Sequence, residues 1–156
     1  NPSDEGVVFM PLHLATYLKP KDFAKFYFPY MKRQTEELWA AGYPVMYYCE
    51  NDWTPYIDIL QDMPDCHMLG LFEGGDLKLI KEKLGHKFTF SGGMRLNNLK
   101  NGTVQDCIDN AKWCLDNLAP GGSYIFGLDI NLCYRNDAKL ENLVAACNYI
   151  HENGKY

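Results

Sequence analysis

Hydrophobic and polar positions along the chain form two kinds of segment. Short apolar runs rich in β-branched and aromatic residues are typical of strands, and longer runs with apolar residues three or four positions apart are typical of helices. The five predicted strands cover residues 6–15, 45–49, 67–73, 88–91 and 124–126, the first of them running into a loop. The main predicted helices cover residues 21–42, 76–84, 104–118 and 140–153. The pattern therefore repeats a strand–helix unit about five times.

Two of the predicted helical segments carry specific sequence signals. The first long helix has an aromatic face that we expect to lie in the core, and proline at position 29 predicts a kink in it, because proline removes one helical hydrogen bond. The members of that face are Phe23, Phe26, Tyr27, Phe28 and Tyr30. After the second strand, Thr54 followed by Pro55 predicts a helix start, with threonine as the N-cap and proline at the first helical position.

Helices that link consecutive strands require a parallel sheet with right-handed crossovers. An open doubly wound sheet and a slice of a barrel both satisfy that requirement. A complete barrel of this class has eight strands, whereas this chain has about five. If the fold is a barrel, the remaining strands lie outside this chain.

Composition and charge narrow the function classes. A net charge of −5 and scattered basic residues give no field for a phosphate backbone, so nucleic acid is not an expected partner. No apolar run approaches the roughly 20 residues that cross a bilayer, and the start lacks a signal-peptide pattern, so we predict a cytoplasmic protein. None of the six cysteines forms a Cys-x-x-Cys motif, and we expect buried, reduced thiols.

Several motifs together resemble a known family. They are Pro11-Leu12-His13-Leu14, Phe28-Pro29, Gly92-Gly93-Met94, and residues 99–104, 118–126, 141–143 and 153–156. In order and spacing they are similar to the carboxy-terminal part of the uroporphyrinogen decarboxylase superfamily, whose members are (β/α)₈ barrels and include cobalamin-dependent methyltransferases. The resemblance implies that residues 1–156 form one partial barrel domain, with about strands 4–8 of a TIM barrel.

The resemblance implies two alternative activities for the full-length protein. The first is methyl transfer from a small methylated compound to a corrinoid protein. In zinc-bearing methyltransferases the second strand seen here ends in His-x-Cys-Gly, whereas this chain has Tyr47-Tyr48-Cys49-Glu50, and Cys133 lies too late to match the family's further cysteine. The second activity is uroporphyrinogen decarboxylation, in porphyrin and heme biosynthesis, although the Gly-His-Gly turn of those enzymes is absent. A third hypothesis is a non-catalytic half-barrel that serves in binding or assembly.

The carboxyl ends of parallel barrel strands build the active site, so polar residues there are the candidates. Carboxylates at three strand ends could act as general acid and base, with Tyr47 beside them. We predict catalytic roles for Glu73, Asp129, Glu50 and Tyr47. His13 and Arg95 are the predicted substrate-binding residues, since arginine can grip a carboxylate with two hydrogen bonds. Asp52 is expected to cap a helix instead.

By strand alternation Tyr47 and Cys49 share one face, and the resemblance implies that this face points into the barrel. Cys49 is the candidate metal ligand. A zinc site needs three or four ligands, and only His13, Glu50 or Glu73 could join it. We favour a small buried thiol over zinc at this position.

Partners follow from the same hypotheses. Methyl transfer would require a small-molecule substrate and a corrinoid carried by a partner protein. Five strands also leave two unpaired sheet edges, and exposed edges pair readily with another chain. We therefore predict a homo-oligomer, or pairing with an amino-terminal half of the barrel.

Overall fold

The computed structural model describes residues 6–155, so the sequence start and Tyr156 of the last motif lie outside the described residues. The chain forms a five-stranded parallel sheet with the order β1-β2-β3-β4-β5, as expected for part of a TIM barrel. The strands are β1 (Val8–Pro11), β2 (Val45–Asp52), β3 (Met68–Gly74), β4 (Phe88–Met94) and β5 (Tyr124–Leu128). The α-helices are α1 (Pro20–Asp22), α2 (Phe28–Ala40), α3 (Ile57–Leu60), α4 (Leu77–Leu84), α5 (Leu96–Asn101), α6 (Val104–Leu118) and α7 (Leu140–Asn153). The chain divides into two compact units, Asn1–Phe90 and Ser91–Tyr156.

In the first unit, β1 pairs with β2 from Val8 opposite Val45 to Pro11 opposite Tyr48. Strand β2 pairs in turn with β3, and the register shifts between Cys49 and Asp52. Asn51 has a φ of 65° at this bulge, an unusual value for a residue other than glycine. One residue of β2 is therefore left without a partner in the ladder at this point.

The first long helix is irregular before Pro29 rather than kinked at it. A π-helical turn, Phe23–Tyr27, separates α1 from α2, and Pro29 lies in the first turn of α2, where its missing N–H costs no hydrogen bond. Phe23 is fully buried in an aromatic cluster, with its ring centroid 5.9 Å from that of Trp53 and 5.0 Å from that of Tyr56.

The predicted aromatic core face of this helix is only partly correct. Phe23 and Phe28 are buried, but Phe26 is 59% exposed and Tyr30 is 64% exposed. Burial instead continues through Met31 and Thr35, because these positions follow Phe28 at helical spacing on the side that packs against the sheet.

The helix start predicted at Thr54 also differs. Residues Thr54–Tyr56 form a 3₁₀ turn that leads into α3, so Thr54 lies inside the helical segment. The backbone N–H of Thr54 donates to Asp52 Oδ1 at 2.8 Å, and the Thr54 hydroxyl accepts from the Asp76 N–H. Asp52 therefore has the capping role that the sequence predicts.

The second unit packs α5, α6 and α7 around Met94, Leu99, Cys107 and Ala146. Strand β4 continues through the glycine pair at positions 92 and 93, beyond the predicted strand end at residue 91. Four of the six free cysteines are buried, but Cys133 and Cys147 are exposed, so the expectation of buried thiols is wrong for these two. Cys147 lies on a face of α7 that faces solvent.

Candidate functional site

The two faces of β2 and β3 differ in what covers them. On β2, Val45, Tyr47 and Cys49 are buried, while Tyr48 and Glu50 are partly exposed. On β3 the alternation is the same, with Met68 and Phe72 buried and Leu69, Leu71 and Glu73 partly exposed. The partly exposed side chains of the two strands lie on one face of the sheet, which we call the open face. It carries Phe9 of β1, Tyr48 and Glu50 of β2, and Leu69, Leu71 and Glu73 of β3.

Tyr47 and Cys49 lie on the helix-packed face, so the expectation that they point into a barrel is wrong. Tyr47 is fully buried, and its hydroxyl lies 2.5 Å from Thr35 Oγ1 on α2. Because Thr35 itself donates to the Met31 carbonyl at 2.7 Å, Tyr47 is the donor in this pair. Burial raises the pKa of Tyr47 to about 12, which keeps the phenol protonated.

Cys49 is 2% exposed, and burial followed by the charge of Glu73 raises its pKa well above the usual value for a thiol. Within residues 6–155, no group of three or more His, Cys, Asp or Glu side chains is arranged to hold a metal ion. These residues do not fit a zinc centre built on Cys49.

His13 and Glu50 form a pair at the carboxyl ends of β1 and β2. His13 Nδ1 lies 2.5 Å from Glu50 Oε1, and the side chains are 63% and 22% exposed. The loop that carries His13 is fixed by the Tyr56 hydroxyl, which donates to the Leu18 carbonyl at 2.7 Å, and by Asn51 Nδ2, which donates to Thr16 Oγ1 at 3.1 Å. The sequence predicts roles for both residues of the pair, but not that they contact each other.

Glu73 accepts a hydrogen bond on each carboxylate oxygen. The Tyr48 hydroxyl donates to Oε1 at 2.8 Å, and the backbone N–H of Asn51 donates to Oε2 at 2.9 Å. Both donors lie at or beside the bulge of β2, and sequence reasoning missed them as site residues. Strand alternation alone could have identified Tyr48, since it shares the face of Glu50.

Two further predicted residues, Arg95 and Asp129, belong to the second unit. Asp129 Oδ1 accepts from the backbone N–H groups of Leu96, at 2.8 Å, and Ile130, at 2.7 Å. This carboxylate therefore satisfies the first N–H of α5, which is a structural role. Arg95 is exposed and lines a polar cavity of about 270 Å³ with Asn98, Asp106, Asp109, Asn110 and Trp113.

A larger cavity, of about 570 Å³, lies beside β1 and the start of α2. Its lining includes Phe9, Pro11, Tyr27, Tyr30 and Tyr47. The His13–Glu50 pair and Glu73 are not part of this lining.

No helix within residues 6–155 is long and apolar enough to cross a membrane.

Comparison with known proteins places the chain in a family. No curated protein is significantly similar to it. Among solved structures, a methyltransferase from Methanosarcina mazei superposes on 96% of this chain with a TM-score of 0.71 at 17% sequence identity. This chain spans 43% of the length of that protein, so the similarity shows the fold of a part. A family model described as uroporphyrinogen decarboxylase (URO-D) matches residues 6–153, and the chain therefore belongs to the uroporphyrinogen decarboxylase family.

Proposed function

We propose that the full-length protein transfers a methyl group from a small methylated compound to a corrinoid carried by a partner protein. The observation that carries the proposal is the polar cluster of His13, Tyr48, Glu50 and Glu73 at adjoining strand ends. In a barrel, that end of the strands holds the active site, and helices cover the outer face. The open face, which carries this cluster, is then the side that a substrate would meet.

The cluster supplies polar chemistry without a metal. Glu73 is held by two donors, which fixes its orientation, and Glu50 holds the exposed imidazole of His13. Such an arrangement can orient a small donor and move a proton, which is general acid–base catalysis. The strong nucleophile of the reaction, a corrinoid, would come from the partner.

The test uses the full-length protein with free cob(I)alamin and a panel of methoxy and methylamine compounds. Formation of methylcobalamin is followed by its absorbance, with controls that lack the enzyme or the donor. Methylation that depends on both supports the proposal. Absence of methylation with every donor contradicts it.

Decarboxylation of uroporphyrinogen is the second candidate function, because the matching family carries that description. A decarboxylase must bind several substrate carboxylates, and in the described residues the strand-end cluster of the first unit is itself acidic. Chromatography of products after incubation of the full-length protein with uroporphyrinogen separates the two functions. Loss of carboxylate groups from the substrate would favour decarboxylation over methyl transfer.

A further inference from the structure

The His13–Glu50 pair is the part of the open face whose geometry suits proton transfer to a bound molecule. Glu50 holds His13 at Nδ1, and no hydrogen bond within residues 6–155 engages the other ring nitrogen, Nε2. The side chain is 63% exposed, so Nε2 is accessible at the carboxyl end of β1. A carboxylate that holds one nitrogen of a histidine fixes the orientation of the ring.

Glu73, the other carboxylate of the cluster, is engaged differently. Its two oxygens receive hydrogen bonds from the Tyr48 hydroxyl and the Asn51 N–H, neither of which is a base. In consequence Glu50 is the carboxylate that orients His13, while Glu73 fixes the end of β2 at the bulge. The structure thus divides the two carboxylates into separate tasks.

The chemistry of methyl transfer from an ether requires one proton. The electron pair of a Co(I) corrinoid attacks the methyl carbon, the C–O bond breaks, and its electron pair goes to oxygen. Cobalt is formally oxidised to Co(III) as the carbon–cobalt bond forms. The oxygen leaves as a strongly basic anion unless a proton reaches it in the same step.

We propose that His13, oriented by Glu50, donates that proton through Nε2 to the leaving oxygen of a methoxy donor. The products are then the methylated corrinoid, the free alcohol or phenol, and neutral His13, which regains a proton from solvent. This inference rests on the proposed methyl transfer and adds a role for each residue. His13 is the general acid, and Glu50 is a positioning residue.

The test compares two methoxy donors that differ in how much they need the acid. The leaving group of 4-nitroanisole is stable as an anion, whereas that of anisole is far more basic. General acid catalysis contributes about 10²- to 10⁴-fold. In full-length His13→Gln we therefore expect methylation of cob(I)alamin from anisole to fall about 100-fold or more, and from 4-nitroanisole to fall much less.

Two further variants isolate the effect. His67→Gln changes another exposed histidine, which pairs with Thr89 at the opposite end of the sheet, and is expected to leave both rates unchanged. Glu50→Gln keeps a hydrogen-bonding side chain but removes the negative charge, and is expected to reduce the anisole rate selectively by a smaller factor. Retained turnover of 4-nitroanisole shows that each variant is folded.

The outcomes separate the two proposals. Equal losses for both donors in His13→Gln, or no loss for either, overturn the role of His13 while methyl transfer itself stands. A wild-type protein that accepts only tetramethylammonium also overturns it, since a neutral amine leaves without a proton. A wild-type protein that accepts none of the donors overturns both.

Discussion

The assignment of faces on β2 is testable with two neighbouring tyrosines that differ in position by one residue. Tyr47→Phe and Tyr48→Phe each remove one hydroxyl and retain the ring. Tyr47 lies on the helix-packed face and donates to Thr35, whereas Tyr48 lies on the open face and donates to Glu73. The structure therefore predicts a loss of stability from the first variant and a loss of activity from the second.

The size of the stability loss follows from the local hydrogen bonds. Thr35 keeps its bond to the Met31 carbonyl after Tyr47→Phe, so the variant leaves no donor unsatisfied. A buried hydrogen bond of this kind contributes about 0.5–1.5 kcal/mol. We expect the free energy of unfolding to fall by about 1 kcal/mol. The phenylalanine ring keeps its tilted contact with Phe88, at a centroid distance of 6.5 Å.

The activity loss in Tyr48→Phe has a different origin. Tyr48 holds Glu73, which fixes the end of β2 beside Glu50, and a misplacement of about 1 Å at a reacting site can lower a rate by about 100-fold. We therefore expect methyl transfer to fall about tenfold or more, and Tyr47→Phe to leave it within about twofold.

Stability is measured by urea denaturation of the full-length variants, whose unfolding curves are fitted with one common m-value. Activity is measured as methyl transfer to cob(I)alamin. Loss of activity in Tyr47→Phe at unchanged stability would refute the assignment of Tyr47 to the helix-packed face. The stability arm does not depend on the proposed function, because it measures unfolding alone.

Further predictions concern pH, backbone conformation and a buried amide. The folded-state pKa of Tyr47 is raised to about 12 from 10.0, so its contribution to stability is fully present below pH 10 and is lost as the pH rises toward 12. This rise in pKa corresponds to about 3 kcal/mol, which exceeds the advantage of about 1 kcal/mol that the hydroxyl gives at neutral pH. The unfolding free energy of wild type, measured by urea denaturation, should therefore fall below that of Tyr47→Phe over this pH range. Gly93→Ala should lower the free energy of unfolding by about 2–4 kcal/mol, because φ is +97° and the new Cβ would lie 2.8 Å from Leu118 Cδ1. Gly121→Ala also has a positive φ but open space around it, so it should lower that free energy by only about 1 kcal/mol. Asn142→Asp should lower the midpoint of urea denaturation more than Asn142→Ala, since the amide nitrogen faces the carbonyls of Asn98, Leu99 and Gly102, which a carboxylate oxygen would repel.

The sequence predicts the order of elements well and the ends of several of them closely. The helices over residues 104–118 and 140–153 begin and end where the pattern places them, because a capping threonine and the helical spacing of apolar residues are local signals. Strand β4 is longer than predicted. Glycines 92 and 93 look like a loop in sequence, but their φ values of 129° and 97° are accommodated at the end of a strand whose residues are all buried there.

The candidate site is less predictable because it depends on contacts between distant segments. His13 and Glu50 are 37 positions apart, and Tyr48 and Glu73 are 25 apart. A sequence pattern places each residue at a strand end, but which residues meet depends on the register of the parallel pairs. Asp129 shows the same limit, since its partner Leu96 lies 33 positions earlier and makes the carboxylate a helix cap.

Strand alternation in β2 places the family pattern and the polar cluster on opposite faces. The family resemblance points to positions 47 and 49, and the structure buries both against helices. Positions 48 and 50 face the open side instead, since neighbouring strand residues point in opposite directions and a change of one residue exchanges the faces. The shift in register after Cys49 and the left-handed Asn51 then bring the backbone N–H of residue 51 to Glu73. This end of the sheet presents an imidazole, a phenol and two carboxylates, whereas the thiol of Cys49 lies on the other face. These groups transfer protons, and for that reason we place proton transfer, and not metal binding, at His13.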